Sequence, residues 1–465
     1  MAGLQGLEIG GSRRCLLQQA AAGFGWLAFR GLNMQAAAAD QTQANAEAGP
    51  LAPRQSHFAA RAKRVIFLFM QGGPSHVDTF DWKPELQKRG GQTGGTGGRA
   101  GQLLAPQFEF QRHGDSGLWL SRLFPDLAQH ADRLCLLNGM HTSNAAHPQA
   151  TIALHTGSVN FVRPSLGAWV TYGLGTMNQD LPGFVTISPV PLGGAQNYGS
   201  SFLPASFQGT RVQPEEGGIA DIRNVRLSPS VQRRQIDLIQ DLNRGLLARH
   251  KGHAELEGLI QANELAWRMQ SSVPEVLDLS QETAETQARY GIDDSATESF
   301  GRQCLMARRL AESGVRFIQV SRGGWDQHRD LKASLQRNCT AIDRPIAALL
   351  TDLEQRGLLQ DTLVLWGGEF GRSPQDQGNG GDGRRHNNTG YSMWMAGGGV
   401  RGGMQYGTTD ELGEKAESGR MSTHDLHATI LHLLGMDHTR LTYRYAGRDF
   451  RLTDVYGEVA EGIFS

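Results

Sequence analysis

Histidines and carboxylates recur along this chain at one kind of place. His76 and Asp78 follow Gly72-Gly73-Pro74, His141 and His147 follow Asn138-Gly139, Asp326 and His328 follow Gly323-Gly324, Glu369 follows Gly367-Gly368, and His386 lies in a later glycine-rich loop. Imidazoles mixed with carboxylates suit zinc, manganese or iron, whereas a magnesium or calcium site would show carboxylates and carbonyls with few histidines. A lone loop histidine is more often a surface or hydrogen-bonded residue than a ligand. The repetition carries the inference, because a metal or polyanion site needs donors held on rigid elements. His76, Asp78, Asp326, His328, Glu369 and His386 are the expected metal ligands. Arg372, Arg384 and Arg385 stand in the same stretches and carry guanidinium forks that match sulfate or phosphate oxygens. His424 and His427 fit helix capping or packing equally well and are left aside.

Such donors need a scaffold. Val65 to Met70 is an unbroken apolar run, as a central parallel strand covered on both faces requires. Arg133 to Asn138, Val315 to Ser321 and Thr362 to Trp366 repeat that pattern, and Gly183 to Ile187 and Met393 to Ala396 add shorter strands. Between them the spacing predicts helices over Leu118 to Ala131 (interrupted at Pro125), Ser299 to Gly314, Leu331 to Gly357 and Asp425 to Leu434. The last is capped by Thr423 or Asp425 and stopped by Gly435, and a helix starting near His147 ends at Gly157. Strands alternating with helices predict an α/β fold with a doubly wound, mostly parallel central sheet flanked by helices. The carboxyl ends of such strands lie along one edge, so residues hundreds of positions apart can converge there.

The rest of the chain bounds this reading. Its 465 residues suffice for an ample core, and a formal charge of −1 without basic, aromatic-interleaved blocks argues against nucleic acid as a partner. Sixty glycines without a fixed period indicate loops rather than a fibre, as in the stretch from Gly90 to Gly101, where a mobile loop is expected. Four cysteines are too few for a disulfide scaffold; Cys135, Cys304 and Cys339 read as buried thiols. Residues 1–39 read as a twin-arginine-type export signal, with Arg13-Arg14 before a short apolar run, and imply the Tat export machinery and a periplasmic or extracellular location. Residues 40–62 read as a linker, and residues 228–290 as a helical insertion without a cluster of reactive side chains. No later segment has the length and apolarity of a transmembrane helix.

The runs GGPSHVDTFDWKPEL, RPSLGAWVTYGLG, GGWDQH, WGGEFGR and HDLHATILHLLGMDHTRLTYRYAGRDFRLTD resemble the exported bacterial family called domain of unknown function 1501. That family is grouped with sulfatase-like proteins of the alkaline phosphatase superfamily, and the resemblance spans residues 63–465. It implies an alkaline-phosphatase-like core with metal at the carboxyl edge of the sheet, and hydrolysis of a sulfate or phosphate ester. TLVLWGGEFG resembles the superfamily stretch ending in Asp-His-Gly, with Glu369 at the Asp and Phe370 at the His. WDQH resembles a paired Asp and His of another metal loop, through Asp326 and His328, and His386 resembles the later metal-binding His.

Two departures qualify the mechanism. Gln71-Gly72 stands where the superfamily carries Asp after the first strand, and counting back from Thr156-Gly157 puts His147 at the sulfatase nucleophile, without its Pro and Arg. A formylglycine sulfatase is therefore disfavoured. His147 as nucleophile or ligand, Thr142 or Ser143 as a metal-activated hydroxyl, and a metal-activated water stay open as routes of attack. The expectation is an exported metal-dependent hydrolase using one or two divalent ions, zinc or manganese. Its substrate is an anionic ester, with a sulfated polysaccharide among the candidates; the rival reading is a binding protein for an anionic glycan.

Overall fold

Strand β1 (Arg64–Met70) is buried along its whole length, which requires cover on both faces of the sheet. The computed structural model describes residues 51–94, 101–214, 218, 219, 222, 226–249, 254–378 and 381–465; the expected export signal and part of the Gly90–Gly101 loop lie outside them. After β1 come β2 (Leu134–His141), β3 (Phe184–Ile187), β4 (Thr210–Val212), β5 (Phe317–Arg322), β6 (Thr362–Gly367), β7 (Tyr391–Ala396), β8 (Met404–Tyr406) and β9 (Met421–Ser422). They form a nine-stranded sheet in the order β8-β2-β7-β6-β1-β5-β3-β4, with β9 also paired to β2. β1 runs parallel to β5 and β6 on either side, in the middle of the sheet.

The expected fifth strand at Met393–Ala396 is present but reversed: β7 is antiparallel to both β6 and β2. A hairpin, Gly371–Asp376 against Arg384–Asn387, leads from β6 into β7 in place of a crossover helix. A parallel return needs a long crossover, whereas this short connection brings the chain back antiparallel. The amino end of β7 therefore lies at the carboxyl edge of its neighbours, and the hairpin bearing His386 lies there too.

Helices cover the faces. In α1 (His147–Thr156) the stop falls at Gly157 (φ 72°), a left-handed conformation that glycine adopts without strain. Next come α2 (Leu166–Leu174), α3 (Pro229–Arg249), α4 (Ala254–Leu277), α5 (Glu298–Glu312), α6 (Leu331–Gln355) and α7 (Thr423–Leu433). A Ser422/Asp425 capping box starts α7, one residue before the expected cap. Helices α3 and α4 are the helical stretch expected within 228–290. They are joined through Gln240 Nε2, which donates to the Ile260 carbonyl at 2.7 Å, and through the Arg233–Glu264 pair.

The helix expected over Leu118–Ala131 does not form. Leu118–Ser121 is a strand paired with Phe110–His113, and Leu127–Arg133 is a 3₁₀ turn. Leu118 and Leu120 face inward with the period of a strand, and the Asp132 carboxylate holds the tight turn by accepting from the Asp115 and Ser116 amides at 3.0 and 2.8 Å. Cys135, Cys304 and Cys339 are buried, free thiols. From Leu51 onward the stretch read as a linker lies along the body of the fold: the Arg54 amide donates to the Leu174 carbonyl and the Ala62 amide to the Leu433 carbonyl.

Two imidazoles are sealed in the core. His155 Nδ1–H donates to the Thr151 carbonyl and His427 Nε2–H to the Leu154 carbonyl, and burial pushes their pKa values down to about 4 and about 3. An unfolded histidine titrates near ~6.5, so below that pH the unfolded chain binds more protons than the folded one. The stability these neutral rings contribute is complete above the unfolded value and is lost as pH falls toward the folded values. The melting temperature should hold above pH ~6.5 and decline between about 6.5 and 4; a flat calorimetric profile across that window contradicts this account.

Candidate metal centre

The carboxyl end of β1 is tied to the ends of both neighbouring strands. Gly72 adopts φ +119°, and a Cβ there would lie 2.4 Å from the Asp326 amide nitrogen, so only glycine lets the loop after β5 approach. The Gly72 amide donates to both oxygens of Glu369, at 3.0 and 3.2 Å, and the Trp325 amide donates to the Gln71 carbonyl. A second close approach involves Gly383, whose Cβ would fall 2.1 Å from the carbonyl carbon of His328.

On this platform His147, Asp326, His328 and His386 present ligand atoms that all lie within 4.8 Å of one another. Asp326 Oδ1 stands 3.1 Å from His147 Nε2, 2.9 Å from His328 Nε2 and 3.4 Å from His386 Nε2. Each ring is fixed through its other nitrogen: His147 Nδ1 to Glu369 Oε1 at 2.5 Å, His328 Nδ1 to Gln377 Oε1 at 2.8 Å, and His386 Nδ1 to the Ala145 carbonyl at 2.7 Å. Those partners accept, so each Nδ1 carries the hydrogen and each Nε2 turns a lone pair inward. His328 and His386 bring their Nε2 atoms to 2.8 Å, and His147 Nε2 is buried without a hydrogen-bond partner. Lone pairs so placed repel one another unless a proton or a metal cation stands between them, and a histidine held through its far nitrogen by a carboxylate or carbonyl is the usual support of a metal ligand. The donor set therefore fits a divalent ion.

Charge sharpens the picture. Arg372 is fully buried; its Nη2 reaches Asp326 Oδ1 at 2.7 Å and the Trp325 carbonyl at 3.2 Å, and its Nε reaches the Gly73 carbonyl at 3.0 Å. Burial raises the Asp326 pKa, but Arg372 and His147 outweigh it and hold the carboxyl well below its usual range. Burial likewise pulls His147 down, yet the Glu369 and Asp326 carboxylates leave its pKa raised. His386 is pushed down to about 4, first by burial and then by Arg372. The Phe370 ring forms an apolar wall, 4.6 Å from the His147 ring and 4.8 Å from that of His386.

Of the six ligands named from sequence, Asp326, His328 and His386 converge with His147, and Glu369 stands behind His147. His76 and Asp78 lie elsewhere. His76 Nε2–H donates to the Gly413 carbonyl at 2.7 Å, and burial lowers its pKa. Asp78 is buried against Arg384, at 2.7 Å from Nε, and also accepts from the Gln107 amide. Arg384 is thereby occupied, while Arg385 is half-buried beside His386. Thr142 and Ser143 line a cavity of about 900 Å³ whose walls do not include the four clustered residues. Gln377 and the Ala145 carbonyl went unforeseen; no local pattern marks an amide or carbonyl that supports a ring far away in the chain.

The family description "Protein of unknown function (DUF1501)" matches residues 62–464. The chain belongs to that family. No curated protein matches it. Among solved structures it is similar to the lipoteichoic acid synthase LtaP from Listeria monocytogenes, with a TM-score of 0.39, 10% identity and coverage of 86% of this chain and 78% of that one. It is also similar to the PsFucS1 sulfatase from Pseudoalteromonas sp. (TM-score 0.34, 12% identity, 81% and 68% covered). A protein in the alkaline phosphatase superfamily from Vibrio parahaemolyticus matches with a TM-score of 0.33 and 10% identity over 83% and 70% of the two chains. Likenesses this remote say nothing of the reaction.

The distinct settings of Asp78 and His328 predict distinct phenotypes. Asp78→Ala leaves a buried guanidinium uncompensated and should lower unfolding free energy by about 3–5 kcal/mol in denaturant titration. His328→Ala, at a half-exposed position, should cost far less; equal losses for the two variants contradict the assignment.

Proposed function

We propose that this chain is an exported, metal-dependent hydrolase of sulfate or phosphate esters, with a sulfated polysaccharide among its candidate substrates. The observation that carries the reading is the convergence of three Nε2 atoms on one carboxylate, each ring fixed through Nδ1. His147, Asp326, His328 and His386 would hold one ion, zinc or manganese by donor type. When bound, such an ion polarises an ester oxygen and lowers the pKa of water.

The chain's own residues do the remaining work. Glu369 holds His147 in one tautomer and raises its basicity as a ligand. Arg372 contributes a fixed positive charge beside Asp326, opposing a bare dication. A divalent ion, one guanidinium and the carboxylates of Asp326 and Glu369 leave one net positive charge, which an anionic ester would neutralise. Phe370 keeps water from one side of the imidazoles, while Asp326 is half exposed and leaves the other side open. Among the described residues no helix is long and apolar enough to cross a membrane.

A second reading, a non-catalytic binder of an anionic glycan, draws on one observation: among the described residues no hydroxyl or thiol is hydrogen-bonded to the cluster. Metal analysis of purified protein, with turnover measured on aryl sulfates and on phosphate mono- and diesters, separates the two. We expect one equivalent of divalent metal and metal-dependent turnover of at least one ester class. His386→Ala should lose the metal, and Glu369→Gln should weaken its binding by about 10–100-fold. Metal retention without turnover of any ester selects the binding protein; the absence of any bound metal rules out the centre itself.

A further inference from the structure

Large apolar side chains left exposed fall mainly in two places among the described residues: one face of α3, and the mouth of the 900 Å³ cavity, where Phe161, Val455 and Tyr456 are 62%, 68% and 61% exposed. Nothing in the structure shows what covers α3. The cavity is different, because its own walls state what they would hold. It opens beside the ends of β2 and α1, between the segment after α1 and the C-terminal stretch Phe450–Glu458. Its volume falls in the usual range of small-molecule sites, roughly 300–1,000 Å³.

Arg163 stands at its centre of interest. The guanidinium lies 4.4 Å from the centre of the Phe450 ring, 5.0 Å from Phe161 and 5.9 Å from Phe202. Those rings hold it in place by cation–π attraction, yet among the described residues it has no hydrogen-bond or ion-pair partner, so its N–H donors remain available to a ligand. The side chains of His141, Thr142 and Ser143 line the same cavity and also make no hydrogen bond among the described residues. Flat apolar faces thus alternate with unused donors and acceptors.

The charge balance narrows the ligand. The lining carries Arg163 and Arg451 with Asp425, Asp454 and Glu458, and Arg448 is paired with Asp454, so the charges nearly balance and give a polyanion no net attraction. A lipid chain or apolar peptide would leave the polar groups unsatisfied, at a cost in binding. A sugar ring matches both features: its C–H face stacks on an aromatic side chain, and its hydroxyls both donate and accept.

We infer that this cavity is a binding site for uncharged sugar units of a glycan, with Arg163 and Phe161 as its principal contacts. The site is separate from the metal cluster, and its test does not depend on turnover. Saturation-transfer NMR on the full chain with maltohexaose, cellohexaose and β-1,4-galactohexaose measures it directly, with a sulfated galactan oligomer as the charged comparison. At least one neutral hexasaccharide should bind saturably, Arg163→Ala and Phe161→Ala should each weaken it tenfold or more, and His328→Ala should leave it unchanged. Circular dichroism establishes that each variant is folded. Absence of binding by all three neutral sugars, binding indifferent to both cavity variants, or binding of the sulfated oligomer alone overturns the inference.

Discussion

A carboxylate sealed at the edge of the sheet organises the centre. Glu369 is 1% exposed, and it accepts from the Gly72 amide after β1 while gripping His147 Nδ1 at the start of α1. A buried carboxylate is tolerated only when its oxygens are satisfied, so the loops after β1 and β6 and the amino end of α1 must come together. Once they do, His147 Nε2 has one direction left, toward Asp326. The platform is assembled by satisfying a buried charge, and the lone pairs that invite a cation follow from it.

Arg372 binds the next layer. Its guanidinium is spread over the carbonyls of Gly72, Gly73 and Trp325 as well as Asp326, so it ties the β1 and β5 loops to the hairpin that follows β6. The Asp78–Arg384 pair anchors the other strand of that hairpin, fully buried on both sides. His386 lies between these anchors and is therefore held on a rigid support. The reversal of β7 is what brings the hairpin to this edge; a crossover helix in its place would carry the chain back to the opposite edge.

The two faces of polar chemistry near β2 differ in electrostatic character. The His147/Asp326/His328/His386 cluster is partly exposed on a buried support of Glu369 and Arg372, tightly hydrogen-bonded and, with a dication, positive. The neighbouring cavity is aromatic, close to neutral and supplied with donors that have no partner. A glycan carrying both charged esters and uncharged sugars presents the two chemistries that these two surfaces would select.

Much of the scaffold was legible locally. Runs such as Val65–Met70 and Thr362–Trp366 can be buried strands because their apolar character is unbroken, and Gly157 and Gly435 end helices because each adopts a positive φ. Residue types and their place after a strand named Asp326 and His328 as candidate donors, and a glycine-rich stretch together with the family resemblance named His386, which the structure places in the hairpin strand Arg384–Asn387. The local pattern could not separate them from His76 and Asp78, which have the same chemistry and the same position after a strand but lie against Gly413 and Arg384. Nor could it show that Leu118–Ser121 would pair as a strand, or that β7 would run backwards, because both depend on partners distant in the chain. The sequence by itself determined which side chains can donate and which segments are apolar enough to be buried. Only the tertiary structure decided which donors meet, because strand direction, hairpin placement and the burial of Glu369 arise from long-range pairing and not from any local period.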